Sequence, residues 1–242
     1  MEYNLLNGDC IEMMKTLESE SVDLILTDLP YGVLNVRNKW DKVIDFDEMW
    51  KEVYRIGKPN TAFITTAKQP FTSQLIMSDL KNFRYTLIWE KSKATGYLNS
   101  KRMPLMAHED IVVFYKKPPT YNPQMVLGKP YDKGKAVRDT ESYGEQTKAI
   151  HVKNNEGHRY PRSVVYFVTA EKEGKLHPTQ KPIKLFEWLI KTYSNENDVV
   201  LDLTMGSGTT GVAAINTNRK FIGIEFNDIY FKVTEKRISE SI

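Results

Sequence analysis

A carboxylate and an aromatic ring stand three residues apart in Asp28-Leu29-Pro30-Tyr31, directly after the apolar run Val22-Asp23-Leu24-Ile25-Leu26. The run is too short for a comfortable helix and reads as a strand that stops on a polar turn. Pro30 disfavours the helical region for the residue before it, so Leu29 is expected to be extended. Gly32 relieves the backbone behind the ring. The turn would then present Asp28 and Tyr31 at the carboxyl end of a strand, where open α/β sheets bind ligands. Taken alone, the same residues read equally as a strand, a turn and a surface aspartate that caps something.

A second constellation lies near the other end of the chain. The strand-like run Val199–Leu203 contains Asp202 and leads through Thr204 and Met205 into Gly206-Ser207-Gly208-Thr209, which opens a helix of small residues. Glycines at a strand-to-helix turn let a backbone approach a ligand, and the helix start favours negative charge. The turn lacks the GK[ST] ending of a phosphate loop, and a nicotinamide dinucleotide is the less favoured ligand. Glu225 ends the next strand, about twenty residues on, where an acid grips ribose hydroxyls. Tight helix–strand packing with an unrelated acid is the other reading, and the spacing disfavours it. His108, His151 and His158 have no carboxylate or cysteine cluster at ligand spacing, so no metal is expected.

The elements that must position these residues alternate along the chain. Strands are expected at 3–6, 22–26, 61–66, 83–91, 109–117, 162–168, 199–203 and 221–226. Helices are expected at 11–19, 46–57, 70–80, 183–194 and 227–239, with one more opening at the glycine turn. Phe46, Met49, Trp50, Val53 and Tyr54 recur at helical spacing, and Gly57 is a candidate helix stop. Such alternation predicts an α/β fold with a mostly parallel, doubly wound sheet. The strands at 83–91 and 109–117, with no helix between them, are candidates for an antiparallel edge.

Length and charge narrow the classes. The chain has 242 residues and a net charge of +3, but residues 116–175 hold 12 Lys and Arg against 7 Asp and Glu, leaving 22 against 24 elsewhere. Residues 118–174 are expected to form an insertion, with 1–117 and 175–242 as the main domain, since the periodicity breaks at Pro118 and the segment is too long for an ordinary loop. A clustered basic patch is the footprint of a polyanionic partner, although a solvated lysine-rich loop gives the same count. Arg37, Lys39 and Trp40 lie in a polar loop after the Asp28 turn. The single cysteine, Cys10, excludes a disulfide framework. No leader and no apolar run of spanning length are visible, so a soluble cytoplasmic protein is expected, not a membrane protein.

Three motifs in this order, DLPY at 28–31, HPTQKP at 177–182 and LDLTMGSGTTGVAA at 201–214, resemble the β-class amino-methyltransferases of DNA, in which the catalytic motif precedes the cofactor motif. The resemblance covers nearly the whole chain outside about 118–160. It implies a Rossmann-like fold, S-adenosylmethionine as cofactor, and double-stranded DNA as partner. A homodimer and a cognate restriction endonuclease are partners the family admits. Asp28, Leu29, Pro30 and Tyr31 would be catalytic: Asp28 and the Leu29 carbonyl accept the N–H bonds of the target amino group, and Tyr31 stacks on a base flipped from the duplex. Thr179, Lys181, Gly206, Ser207, Gly208 and Thr209 would line the methionine end of the cofactor. Asp9, Cys10 and Glu225 would hold its adenosine end, with Asp28, His177, Asp202, Thr204 and Met205 completing the set. His177 is expected to order its turn rather than act as a base. An aspartate-type turn implies adenine N6 in the family; cytosine N4, an RNA target, or a protein that binds cofactor and DNA without catalysis are the alternatives. The insertion matches the position of the target-recognition region, with Lys129, Lys133, Lys135, Arg138, Lys148, Lys153, Arg159 and Arg162, joined by Arg37 and Lys39, as DNA contacts. The chain departs from the family at Leu29, which stands where DPPY has its first proline, and at Leu203 and Thr204, which replace the Pro and Phe of DPFxGSGTT.

Overall fold

β2 (Val22–Thr27) is apolar on consecutive residues because both of its sides are covered. Leu24 and Leu26 join one buried cluster and Ile25 the other. The computed structural model that shows this describes residues 2–32, 41–135, 151–154, 156–174, 176 and 179–241. Its remaining strands are β1 (Tyr3–Asn7), β3 (Gly57–Ala67), β4 (Phe83–Thr95), β5 (Met106–Tyr115), β6 (Val126–Leu127), β7 (Tyr131–Lys135), β8 (His151–Asn154), β9 (His158–Arg159), β10 (Val164–Phe167), β11 (Val199–Asp202) and β12 (Lys220–Glu225). The helices are α1 (Cys10–Lys15), α2 (Phe46–Ile56), α3 (Phe71–Ser78), α4 (Ile183–Tyr193), α5 (Thr209–Asn216) and α6 (Asp228–Ser239).

Eight strands form one sheet in the order β1-β12-β11-β2-β3-β5-β4-β10. β1, β12, β11, β2 and β3 are mutually parallel. β5 runs antiparallel to both β3 and β4, and β10 pairs parallel with β4 as the outermost strand. The reversed strand is therefore third from that edge, and the expected antiparallel pair is closed off by a parallel neighbour. Apolar residues of α4 and α5, among them Leu185, Phe186, Leu189, Val212 and Ile215, cover one face with Leu24 and Ile64. Met14 of α1, Met49 and Trp50 of α2 and Phe71 of α3 cover the other with Ile25 and Phe63. Full burial of each large side chain contributes about 1.5–3 kcal/mol.

Local chemistry sets the element ends. Asp9 caps α1 by accepting from the N–H groups of Ile11 and Glu12 at 3.0 and 3.3 Å. α1 stops at Lys15, short of the expected Ser19, because the Met14 and Leu17 carbonyls are taken by the Arg55 guanidinium at 2.6 and 2.8 Å. Gly57 ends α2, as its position suggested, but with extended backbone (φ −72°) rather than the left-handed form. A side chain there would stand 3.0 Å from the Val53 carbonyl, so closeness and not handedness favours glycine.

By contacts the chain divides into two units, residues 1–122 with 163–242, and residues 123–162. Residues 163–174, counted with the insertion on sequence, lie in the first unit because β10 pairs with β4 of the main sheet. The second unit is held by two short antiparallel ladders, β6 with β9 and β7 with β8. No helix among the described residues is long and apolar enough to cross a membrane.

Candidate active site at the carboxyl edge of the sheet

Parallel strands bring their carboxyl ends to one edge, and the site is built from residues at and just past those ends. Asp28 comes directly after β2, Glu225 ends β12, Asp202 ends β11 and Asp9 lies just past β1. Because β5 is reversed, its beginning reaches the same edge: Asp110 pairs with Ala67 at the end of β3, and Glu109 with Trp89 of β4.

Asp28 is the most engaged group there. Its Oδ1 accepts from the Tyr31 hydroxyl at 2.8 Å and from the Thr66 hydroxyl. Its Oδ2 accepts from the Lys181 ammonium at 2.7 Å. The Tyr31 ring stacks on Phe71 with centroids 5.2 Å apart. Burial and the Asp28 carboxylate push the Tyr31 phenol well above its ordinary range. Burial works against the Lys181 charge, but Asp28, Tyr31 and Glu109 outweigh it and hold the ammonium protonated, above the ordinary lysine range. Gly32 sits at φ +67°, where a side chain would meet Val43 at 2.8 Å, and its N–H donates to Asp41 at 2.9 Å. The glycine expected behind the ring is thus required by the fold.

The glycine turn is equally specified. Gly206 and Gly208 have φ of +52° and +82°. The Gly206 N–H donates to Glu225 Oε2 at 2.9 Å, and the Asn227 N–H to Oε1 at 2.8 Å, so Glu225 braces the turn from the next strand. Burial raises the Glu225 carboxyl above its usual range despite these bonds. Asp202 is buried and pushed up to about 6, while the Thr204 N–H and Thr210 hydroxyl donate to it. Ser207 and Thr209 are buried, and Met205 packs against Gly223, where an added Cβ would stand 2.4 Å from its sulfur. Cys10 is buried, and burial with the Asp9 charge pushes its thiol up to about 12.

The departures from the family pattern have a structural content. Leu29 and Leu203 are both buried in the same apolar cluster. Thr204 donates to the Asp28 carbonyl at 3.0 Å and bonds the Thr27 hydroxyl at 3.0 Å, tying the two motif turns together.

Lys181, expected beside the cofactor, has its ammonium on Asp28, while its carbonyl accepts from Thr209 at 3.3 Å. Thr179 is exposed. Arg37, Lys39, Arg138, Lys148 and His177, and the side chain of Lys135, lie outside the described residues. In the second unit Lys129, Lys133, Lys153 and Arg162 are exposed. Arg159 instead serves that unit's own fold: it donates to the Gly157 and Lys129 carbonyls and stacks 4.3 Å over Tyr131. Among the described residues no group of acidic, His or Cys side chains could hold a metal ion.

Sequence reasoning passed over Thr66, Glu109 and Phe226. Thr66 and Glu109 belong to strands that the pattern located, at the ends that face the edge, and only the pairing order shows it. Phe226 had a local signal, since it directly follows Glu225, and the structure leaves the residue 73% exposed.

This arrangement joins a carboxylate held by three donors to a glycine turn with a downstream acid, and the chain as a whole is similar to characterised proteins. The family model described as DNA methylase, covering the N6 and N4 types, matches residues 22–236. The type II methyltransferase M.HinfI of Haemophilus influenzae is 32% identical over 98% of this chain and 68% of its own length. The DNA adenine methyltransferase YhdJ of Escherichia coli K12 is 30% identical over 97% of this chain and 82% of its own. The crystal structure of the M1.HpyAVI–SAM complex superimposes with a TM-score of 0.66 at 25% identity, covering 98% of both chains. A match that runs from the Asp28 strand to the last helix takes in both halves of the site, and the chain belongs to the N6/N4 family of DNA methylases.

Proposed function

We propose that this chain transfers a methyl group from S-adenosylmethionine to the N6 atom of adenine in duplex DNA, with the target base turned out of the helix. The observation that carries the reading is Asp28, a carboxylate held by Tyr31, Thr66 and Lys181 at the sheet edge that also bears the glycine turn. Among the described residues two hydroxyl donors occupy Oδ1, whereas Oδ2 has one donor and room for another.

The cradle fits the cofactor. Gly206 and Gly208 hold the positive φ that shapes the turn, Gly206 keeps part of its surface exposed, and Glu225 is a half-buried acid on the next strand. Gly206, Ser207, Gly208, Thr209, Asp202, Thr204, Met205 and Thr179 would hold the methionine end. Asp9, Cys10 and Glu225 would hold the adenosine end, with the exposed Phe226 ring as a flat apolar surface for the adenine. S-adenosylmethionine, when bound, supplies an electrophilic methyl on its sulfonium.

The residues of the turn act on the nucleophile. An exocyclic amino nitrogen attacks poorly because its lone pair is delocalised into the ring. Asp28 Oδ2 and the Leu29 carbonyl accept its two N–H bonds and localise the pair. The Tyr31 ring is already fixed by its hydroxyl bond and by Phe71, so stacking on the base needs little further ordering. A base within the duplex cannot reach these atoms, so it must be extruded. Lys129, Lys133, Lys153 and Arg162 neutralise phosphates, with some of the insertion's basic residues reading base edges. The aspartate-type turn and the 30% identity to an adenine methyltransferase support adenine over cytosine.

Incubation with methyl-labelled cofactor and duplex DNA, followed by nucleoside analysis, tests the reading. Label in N6-methyladenine is expected, and its loss in Asp28→Ala with cofactor binding retained. Label in N4-methylcytosine overturns the adenine assignment, and transfer only to RNA overturns the substrate.

A further inference from the structure

Four charged side chains alternate in sign along the carboxyl edge. Lys91 Nζ lies 3.2 Å from Glu109 Oε1, Glu109 Oε2 lies 3.5 Å from Lys181 Nζ, and Lys181 Nζ lies 2.7 Å from Asp28 Oδ2. The proposed reaction uses Asp28 at one end and leaves Glu109 without a part. Yet Glu109 Oε2 is buried and accepts no hydrogen bond among the described residues. A buried carboxylate oxygen without a donor is unusual in a folded protein and calls for a reason.

The reason lies in the demand on Asp28. A carboxylate tightly paired with an ammonium is a weaker acceptor for a second donor, and Oδ2 is the oxygen with room for the target amino group. Lys181 carries three N–H donors on a flexible stem. Its two carboxylate separations differ by only 0.8 Å, 2.7 against 3.5 Å. A small swing of the ammonium therefore exchanges its better partner, and no buried charge is left unpaired at either position.

We propose that Glu109 is a positioning residue for methyl transfer: its Oε2 is the seat that the Lys181 ammonium takes when the target amino group occupies Asp28 Oδ2. The inference rests on Asp28 being the amino-group acceptor. The titratable and charged groups facing Lys181 among the described residues are Asp28 and Tyr31 from the turn after β2 and Glu109 from β5, with Lys91 of β4 behind Glu109. Lys181 stays protonated throughout, so it moves charge and takes no proton from the base.

The test combines Glu109→Gln, which keeps the size and removes the charge, with Lys181→Met and the double variant. Single-turnover methyl transfer, equilibrium binding of S-adenosylmethionine, and titration of the Lys181 ammonium by NMR on lysine-labelled protein are read for each. E109Q is expected to slow single turnover about tenfold or more, because the ammonium then has no second seat and stays on Asp28 Oδ2. Cofactor affinity stays within about twofold, and Lys181 loses its proton at lower pH. On the K181M background, E109Q changes the rate less than about twofold, because Glu109 acts only through Lys181. Glu109→Asp restores part of the rate, and it replaces E109Q in the series if that variant does not fold. A wild-type rate in E109Q, or the same loss on both backgrounds, overturns the proposal. If Asp28→Ala retains transfer, or the wild-type chain transfers no methyl, the Asp28 reading is what fails. An unchanged Lys181 titration in E109Q overturns the seat whatever the transfer assay gives, whereas a lowered one shows only the Glu109–Lys181 contact, and the seat then falls with Asp28 as acceptor.

Discussion

Gly208→Ala is the sharpest perturbation of the cofactor turn. Gly208 lies at φ +82°, and a Cβ there would stand 2.7 Å from Thr234 Cγ2 and 3.1 Å from its hydroxyl oxygen. Thr234 is fully buried and cannot retreat freely, since its hydroxyl donates to the Gly206 carbonyl at 2.7 Å. The left-handed conformation costs a non-glycine residue about 1–2 kcal/mol. Overpacking against an immobile neighbour costs about 1–3 kcal/mol more. The expected loss of stability is therefore about 2–5 kcal/mol, measured by urea unfolding at constant m-value. Thr234→Ser separates the two parts, because it keeps the hydroxyl bond and removes the clashing methyl. In G208A/T234S the steric part should be recovered, leaving about 1–2 kcal/mol of conformational cost. Calorimetry with S-adenosylmethionine should show weaker binding in G208A and partial recovery in the double variant. A loss below about 0.5 kcal/mol in G208A, within the range of an ordinary surface change, would refute the reasoning, as would a double variant no better than the single.

Four further outcomes are expected. Between about pH 4 and 6 the folded chain keeps the Asp202 proton that the unfolded chain releases, so stability falls as pH rises through that window, by about 3 kcal/mol for a shift from 3.8 to about 6; Asp202→Asn should flatten this slope in urea unfolding at pH 4.5 and 7, and an unchanged slope counts against it. Cys10, buried with its thiol pushed up to about 12, should resist iodoacetamide at pH 8 and react only as fast as the chain unfolds, which mass spectrometry of the native protein checks. Leu29→Ala should cost about 2–5 kcal/mol of stability for a buried leucine, while the folded fraction keeps its transfer rate within a few-fold; complete loss of transfer in folded L29A would contradict a purely packing role. Thr204→Val removes the bonds to the Asp28 carbonyl and Thr27 and leaves the buried Thr27 hydroxyl without that partner, for about 1–3 kcal/mol; a thermal melt indistinguishable from wild type would show that the tie contributes nothing.

The parts of the molecule legible in sequence are those fixed by near neighbours. β2, β11 and β12 announce themselves as short apolar runs because both faces are covered, and the glycine turn because its conformation excludes other residues. Asp28 and Glu225 could be singled out because each directly follows or ends such a run. What escaped depends on distant pairing. α1 is shortened by Arg55, 41 residues away from the Met14 carbonyl it takes. Lys181 meets Asp28 across 153 residues of chain. Glu109 reaches the site only because β5 runs opposite to its neighbours, and no periodicity encodes strand direction. The ladders of the second unit are two to a few pairs long, too short to leave a pattern in a segment rich in Pro, Gly and Lys.

The substitution at Leu29 shows why a departure in a motif need not be a departure in chemistry. On the proposed reading the position contributes only its carbonyl, and Pro30 disfavours helical backbone whatever residue precedes it. A leucine side chain is then free to serve packing, and Leu29 is 3% exposed in a cluster that also holds Leu203. Leu203 stands where the other motif has its own proline, so two prolines are replaced together by two buried leucines. Thr204, in the place of a phenylalanine, adds a hydroxyl that bonds Thr27 and the Asp28 carbonyl. Rigidity that a proline supplies by restricting its own backbone is supplied here by apolar packing and a hydrogen-bonded tie between the turns. The Asp28 carboxylate is thus held from both sides: by Tyr31, Thr66 and Lys181 at its oxygens and by Thr204 at its backbone.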